Sequence, residues 1–506
     1  MKNYKYILIA ILGFTVFNCG LEEEPPYLAN ENVYSSASNA KAATLGMYSA
    51  FSDYFYYGNQ FVFLVNLNSG FGVTRRGGNR NSSIDNTTLA SLNPTSNSLQ
   101  SDNAWGAIYK AIARNNDAIV SGVPFDDAAT AEELGINDAI GQAYFLRAFN
   151  YFNLVRLWGE VPLRLEPTTL ETVHVAKSPI VDIYTQIISD AKNAQKYMNG
   201  TIGAGTAKPF AADMLLAKVY MTLATAPSSH QPESGNYWQL AYNEAKKVYG
   251  QYSLYPSYDG LFDIDTGNNT EESIFEIQSS EGASLDHTRA FTPSNFTQAN
   301  TFGWLKINAE VYDRHVSTYP NDPRLNTNYL LEYTHSGNGN NITVYPLRAR
   351  NNFNNAFPWA FKLGSKDPNN TSRETAKNFK IYRYADVLLM LAEISNELQN
   401  GEQLGYVQEV LDRVGLTPHS GYLGGQESFR DAIMREYEFE LVTECHDWFN
   451  NRRRGYNYFL NNVIIPHNTA PTFDANVDVT FETDENKVMY LPIPASEINN
   501  NNEISG

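Results

Sequence analysis

Apolar residues along this chain of 506 residues recur mainly at helical spacing. Phe145, Ala148, Phe149, Phe152 and Val155 follow i, i+3, i+4, i+7 and i+10, which sets them on one face of an α-helix. Tyr144, Leu146, Leu154 and Leu157 add apolar residues on other faces, so this helix is expected in an inner layer. Ser178 before Pro179 reads as an N-cap followed by proline at the first helical position, opening a helix to about Tyr197. Ala212, Leu215, Leu216, Val219, Tyr220 and Leu223 make another stripe, and the alanines around it (Ala211, Ala217, Ala224) would let a partner helix approach closely. Further helices are predicted over Tyr237–Val248 and Tyr384–Leu398, and one more along Phe429, Ile433, Tyr437, Leu441 and Trp448. Strand signals are sparse; the alternation over Ser273–Gln278 is the clearest. Residues 53–102, 280–303 and 335–378 are rich in Gly, Asn, Ser and aromatics and read as long loops, a kind of segment that usually carries function. The pattern predicts a mainly α scaffold that displays large aromatic loops.

Composition narrows the function classes. Acidic residues number 55 and basic residues 37, a net charge of −18, so the basic stripe that nucleic-acid phosphates call for is missing. Two cysteines exclude a disulfide framework or a cysteine-rich zinc module. The chain has 55 asparagines and 33 tyrosines. Amide and phenol groups in that number suit neutral, hydroxyl-rich ligands, although a low-GC genome writes the same residues often.

The N-terminus reads as an address. Lys2 and Lys5 precede an apolar run from Ile7 to Phe17, too short to span a bilayer and fitted to a secretory signal. Cys19 ends the run. This resembles a bacterial lipoprotein signal, in which the cysteine thiol takes a diacylglycerol. Glu22, Glu23 and Glu24, then Pro25 and Pro26, follow directly. An acidic run beside a lipidated cysteine resembles the surface-export signal of Bacteroidota lipoproteins, and the prolines keep the run extended as a tether. The expected layout is a signal peptide over 1–18, a lipidated tether over 19–34, and one domain over 35–506. That domain divides into a helical part (35–250), a loop-rich middle (251–378) and a second helical part (379–506).

Separated segments resemble the SusD/RagB family of outer-membrane lipoproteins. They begin with Ala104-Trp105-Gly106-Ala107-Ile108-Tyr109 and Ala113-Arg114-Asn115-Asn116, then Phe145-Leu146-Arg147-Ala148 through to Gly159-Glu160-Val161-Pro162-Leu163. Glu272 to Gln278, Asp322-Pro323-Arg324 and Tyr382-Arg383-Tyr384-Ala385-Asp386 continue the series. Glu440-Leu441, Glu444, Trp448-Phe449 and Tyr490-Leu491-Pro492-Ile493-Pro494 close it, in family order across almost the whole chain. The chain departs at Cys445, where the family usually has Gly, at Asp447, where it usually has Arg, and at Asn450, where it usually has Asp. The first reads as a change at a small helix-packing position; the others would rewire a local ion-pair network. The resemblance implies helix pairs like tetratricopeptide repeats with a loop-rich half. It implies a cell-surface protein that binds oligosaccharide or polysaccharide, in some members peptide, and passes it to a SusC-type TonB-dependent transporter. It implies no catalysis and no cofactor beyond the lipid on Cys19.

No catalytic signature is complete in the sequence. The eight histidines have no metal-ligand spacing, and Asp263-x-Asp265 lacks the glycine of a calcium loop. Glu436, Glu440 and Glu444 lie on one helix face and could present paired carboxylates, as in an exported helical-barrel polysaccharide hydrolase or lyase. A structural ion network with Arg435 and Arg452 to Arg454 is the competing expectation. Trp105, Trp158, Trp238 and Trp448 fall in helices and read as core. Trp304 and Trp359 fall in or beside loops and are candidates to stack on a ligand. Tyr54, Phe55, Tyr56 and Tyr57 enter the first loop; Arg75, Arg76, Asn79 and Arg80 lie further along it, and His287, Arg289, Phe296 and Phe302 lead up to Trp304. The expected ligand set is Tyr56, Tyr57, Arg75, Arg76, Asn79, Phe302, Trp304 and Trp359.

Overall fold

The structure, a computed structural model, describes residues 33–74, 81–279 and 284–504. Cys19 and residues 20–32 of its tether, with Arg75, Arg76, Asn79 and Arg80, lie outside the described residues. Helices of eight residues or more are α1 (Ala37–Tyr48), α2 (Gln60–Leu67), α3 (Asn81–Ala90), α4 (Leu99–Ser121), α5 (Ala131–Trp158) and α6 (Ile180–Tyr197). They continue as α7 (Ala211–Thr225), α8 (Tyr237–Val248), α9 (Ala309–Thr318), α10 (Tyr384–Leu398), α11 (Gln403–Arg413) and α12 (Gln426–Leu441). Successive helices pack as pairs: α5 against α4 and α6, α7 against α8, and α10 against α11. This is the tetratricopeptide-like arrangement that the family resemblance implied. Among the described residues no helix is long and apolar enough to cross a membrane.

Helix α5 starts where the sequence supplies a capping box. Thr130 accepts from the Glu133 backbone N–H, and the Glu133 carboxylate accepts from the Thr130 backbone N–H. It stops at Gly159, whose φ of 73° suits a residue without a Cβ. Between these ends α5 is buried on nearly every face, which is why its apolar residues showed no single stripe. One apolar core runs from Met47 to Leu491.

The structure corrects three local readings. Residues 53–102 are not one loop; they hold α2, α3 and the start of α4. Phe61 to Leu67 are all buried, and a helix with no wet side leaves no polar spacing to read. Ser178 is not an N-cap: it pairs with Val161 in a two-residue ladder, and Pro179 is itself the cap of α6. The stripe through Trp448 is broken, because α12 ends at Leu441 and a separate helix begins at Asp447. Thr443 and Cys445 between them sit at φ 69° and 65°. Cys445 therefore occupies a left-handed turn, not a helix-packing position, and this is the conformation that glycine adopts without steric cost.

The glutamate ladder of α12 is sealed inside the protein. Glu440 receives Arg383 and Arg413 on one oxygen, both at 2.5 Å, and Arg324 on the other at 3.0 Å. Arg324 also binds Glu436 and Asp322, and Arg383 also binds Glu272 and Glu444. Lys362 closes the group on Glu444 at 2.9 Å. Arg453 and Arg454 pair elsewhere, with Glu393 on α10 and, for Arg454, Glu397. Arg435 pairs with Glu438, and Arg452 pairs with no carboxylate among the described residues. The expected arginine partners of the ladder are thus replaced by Arg324, Arg383 and Arg413. Among the described residues Asp447 joins no ion pair; it accepts from the Thr443 N–H, and burial pushes its carboxyl far up.

Burial raises the Glu444 carboxyl, but Arg383 and Lys362 overcome it and hold the group at about 2 against an ordinary 4.5. A depressed folded value stabilises the fold above the unfolded value and loses that contribution as pH falls through the folded one. The thermal midpoint of Glu444→Gln is therefore expected to lie below wild type near neutral pH. The gap should shrink steadily between about pH 4.5 and pH 2. Thermal melts across that range check it, and a gap that does not change with pH would refute the assignment.

A ring platform on the loop-rich side

Four short strands from distant parts of the chain form one sheet, in the order 72–73, 306–307, 359–360, 329–330. Trp359 lies at its centre, opposite Lys306 on one side and Leu330 on the other. The Lys306 ammonium sits 3.8 Å from the centre of a Trp359 ring. Trp359 is only 8 % exposed, so the expectation that it stacks on a ligand is corrected: it is part of the floor. Its Nε1 has no hydrogen-bond partner among the described residues.

On this floor stands a pair of parallel rings. Phe302 and Trp304 have centroids 5.2 Å apart and an interplanar angle of 6°. Main-chain bonds hold them in place: Phe302 N donates to Arg289 O (2.9 Å) and Trp304 N to Ala290 O (2.7 Å). The Arg289 guanidinium lies 5.0 Å from the Phe302 ring and 5.4 Å from the Trp304 ring, within cation–π range. Phe63 on α2 backs Trp304 edge-on at 6.0 Å. Phe302 is 37 % exposed and Trp304 partly exposed.

Polar groups flank the rings. Asp286 lies 3.5 Å from Arg289; burial raises its carboxyl, and Arg289 and Arg373 oppose that rise. Tyr54 feels both Arg289 and Asp286, and burial raises its phenol. Phe55 beside it is exposed. Arrayed this way, the groups offer flat apolar faces next to a cation, a carboxylate and a phenol. That set can grip a ligand with C–H faces and hydroxyls, since binding sites combine apolar surface with a few placed polar groups.

Tyr56 and Tyr57 do not belong here. Both are buried in the helical core, where the Tyr56 hydroxyl donates to Asn150 Oδ1 (2.7 Å) and Asn153 Nδ2 donates to both phenols. The run Tyr54 to Tyr57 crosses from surface to core, so its first two members reach solvent and its last two cannot. His287 is buried as well, with Nε2 on Tyr57 O at 2.8 Å, and burial lowers it to about 4. Phe296 packs on Tyr333 and Phe361. Arg289 and Phe63 complete the platform yet stood outside the expected ligand set. Arg289 was visible as a loop cation, whereas Phe63 sat in the apolar run of α2 and gave no signal. Among the described residues no group of three His, Cys, Asp or Glu is placed to hold a metal ion.

Gly303 makes the ring pair possible. Its φ is 52°, and an added Cβ would stand 2.5 Å from Trp359 Cζ3 and 2.9 Å from Pro293 Cα. Gly303→Ala is expected to push the two rings off the sheet and destabilise the protein by roughly 1–3 kcal/mol, the range for overpacking. A lower urea midpoint with an altered aromatic circular dichroism band would show it; an unchanged spectrum would count against the close fit.

Comparison with known proteins places this architecture. Residues 220–505 match the family model described as "SusD family", and residues 63–221 match one described as "Starch-binding associating with outer membrane". SusD-like protein P2 of Formosa agariphila is 27% identical across 100% of this chain and 99% of its own length. A SusD homolog of Bacteroides thetaiotaomicron has the same fold, with a TM-score of 0.79 at 19% identity over 96% of this chain and 99% of that one. Surface glycan-binding protein A of Bacteroides uniformis is also similar in fold, with a TM-score of 0.70 at 18% identity over 92% and 98% of the two chains. With one model spanning more than half of its residues and relatives aligned from end to end, the chain belongs to the SusD family.

Proposed function

We propose that this protein captures an oligosaccharide or polysaccharide on the Phe302–Trp304 platform at the outer membrane and delivers it to a SusC-type TonB-dependent transporter. At the family level, membership supports glycan binding and uptake in association with the outer membrane. The observation that carries the reading to this site is the parallel ring pair, Phe302 exposed and Trp304 partly so, with Arg289 within cation–π distance of both rings. Aromatic faces bury sugar C–H surface, and the neighbouring Tyr54, Asp286 and Arg289 supply donors and acceptors for hydroxyls. The relative named a surface glycan-binding protein lends the same reading weight. The lipid on Cys19 would tether the protein to the membrane and face the platform outward.

The proposal includes capture without cleavage. The carboxylates that a glycosidase reading would use, Glu436, Glu440 and Glu444, are buried and held by arginines and a lysine, the arrangement of a structural ion network. Incubation with polysaccharides is expected to release no new reducing ends.

Isothermal titration against a panel of glycans and a panel of peptides tests the ligand class. Saturable binding of at least one glycan is expected. Binding of peptides alone would replace the reading with a RagB-like peptide binder. For the partner, extraction of native membranes in mild detergent is expected to copurify a β-barrel protein with this chain, and its consistent absence would remove the delivery step.

A further inference from the structure

Two arginines of the interior lack the partner that the others have. Arg147, Arg314, Arg324, Arg383, Arg413 and Arg453 each meet a carboxylate within 3.3 Å. Arg156 and Arg452 meet none among the described residues, and both line the same cleft. This cleft, about 390 Å³, opens between α5, α7, the helix Asp447–Arg453 and residues 485–490. A smaller inner chamber of about 40 Å³ shares Arg156, Thr222, Phe449 and Arg453 with it.

The two guanidinium groups are built into place. Arg156 lies between the rings of Phe152 and Phe449, 3.7 and 3.6 Å from their centroids. Its Nε donates to Phe152 O and one Nη to Asn153 Oδ1. Arg452 lies between Trp448 and Phe459, at 4.1 and 4.3 Å. It is 5 % exposed, donates to Val488 O and Asn68 O, and leaves a buried Nη1 with no hydrogen-bond partner among the described residues. His230 stands at the rim. The one carboxylate among the lining residues is Glu485, which is exposed.

Burying a charge without a counter-charge is costly, and such groups are normally paired. Burial pushes both guanidinium groups down, Arg156 to about 10 and Arg452 well below its ordinary value. An anion entering the cleft would remove that cost, and a guanidinium fork is the group best shaped to receive a carboxylate or sulfate. The cleft's size suits a small ligand, and Tyr490, exposed at its mouth, offers a ring face. We propose that this cleft is a second ligand site, for a monosaccharide-sized anion whose carboxylate or sulfate group is received by Arg156 and Arg452. The site shares no residue with the platform and does not depend on what the platform binds.

The test uses the full chain and three probes: D-glucuronate, glucose 6-sulfate and D-glucose, followed by isothermal titration or ligand-observed NMR. At least one anion is expected to bind and glucose is not; which anion binds tells a carboxylate site from a sulfate site. Binding should weaken as sodium chloride is raised. Arg156→Gln and His230→Glu are each expected to weaken it about tenfold or more, which corresponds to about 1.4 kcal/mol. Trp304→Ala should change it less than about twofold. Should Arg156→Gln fail to fold, His230→Glu at the rim decides. Glucose binding as well as the anions, no anion binding at millimolar concentration, or anion binding unmoved by His230→Glu would overturn the proposal.

Discussion

Glu440→Ala is expected to be among the most damaging single substitutions in this protein, with no ligand present. Three guanidinium groups converge on that one carboxylate, and its removal leaves them facing each other away from water. Breaking a buried ion pair from one side costs about 3–5 kcal/mol. Arg324 and Arg383 keep other carboxylates, while Arg413 keeps only Glu272 at 3.3 Å. The main-chain oxygen of residue 440 also anchors Lys362, Arg383 and the Tyr258 hydroxyl, so a shift of this turn would spread to the loop-rich half. Glu427→Ala, at an exposed position of the same helix, is the control and should cost no more than about 0.5 kcal/mol. Urea titrations of the two variants make the comparison. Equal midpoints would show that the network contributes little. A loss of stability in Glu440→Ala would also explain any loss of binding without giving the residue a role at the ligand.

Trp304→Ala is expected to abolish most glycan affinity while leaving the fold intact. The indole supplies half of the ring pair and keeps Phe302 upright, so truncation removes one face and loosens the other. Central aromatic anchors cost about 2 kcal/mol or more when cut to alanine, a loss of roughly 30-fold. Trp304 is partly exposed and its main-chain bond to Ala290 survives the change, so the thermal midpoint should move little. Trp359→Phe provides the opposite pattern. It lies under the platform at 8 % exposure, and its substitution is expected to lower the midpoint more than the affinity. Arg289→Met separates charge from packing: if the cation serves the ligand, affinity falls while the rings stay in place. Titration of these three variants with one glycan ligand checks the set. Undiminished affinity in Trp304→Ala would remove the platform from the account.

The helical half was legible because its signals are local. Tyr237–Val248 and Tyr384–Leu398 have the bounds that their spacing predicted. The strand over Ser273–Ile277 also stood out, because alternation is visible without knowing its partner at 379–383. What escaped depends on contacts far apart in sequence. Helix α2 was hidden by being buried throughout. The central sheet was invisible, since each of its strands has two residues and no period. The same limit divides the ligand candidates. Phe302 and Trp304 are exposed because main-chain bonds to 289 and 290 turn them outward. Trp359, equally aromatic and also outside any helix, is covered because two strands pair across it. Tyr56 and Tyr57 are claimed by Asn150 and Asn153 on α5, nearly a hundred residues away. The ion network shows a similar split. A face of glutamates announces that cations are needed, but not that they come from Arg324, Arg383 and Arg413.

The way the ring pair is mounted bears on how such a protein acquires new tastes. The main chain of Phe302 and Trp304 is held by peptide groups and by the glycine between them, so the backbone of the mount does not depend on either side chain, although Phe63 and Arg289 pack on the rings. Under the proposed function, exchanging them for tyrosine, histidine or leucine would change which ligands the platform accepts while the mounting endures. A lineage that meets a changing diet could therefore explore many preferences by point changes at two positions, without rebuilding the body that carries them.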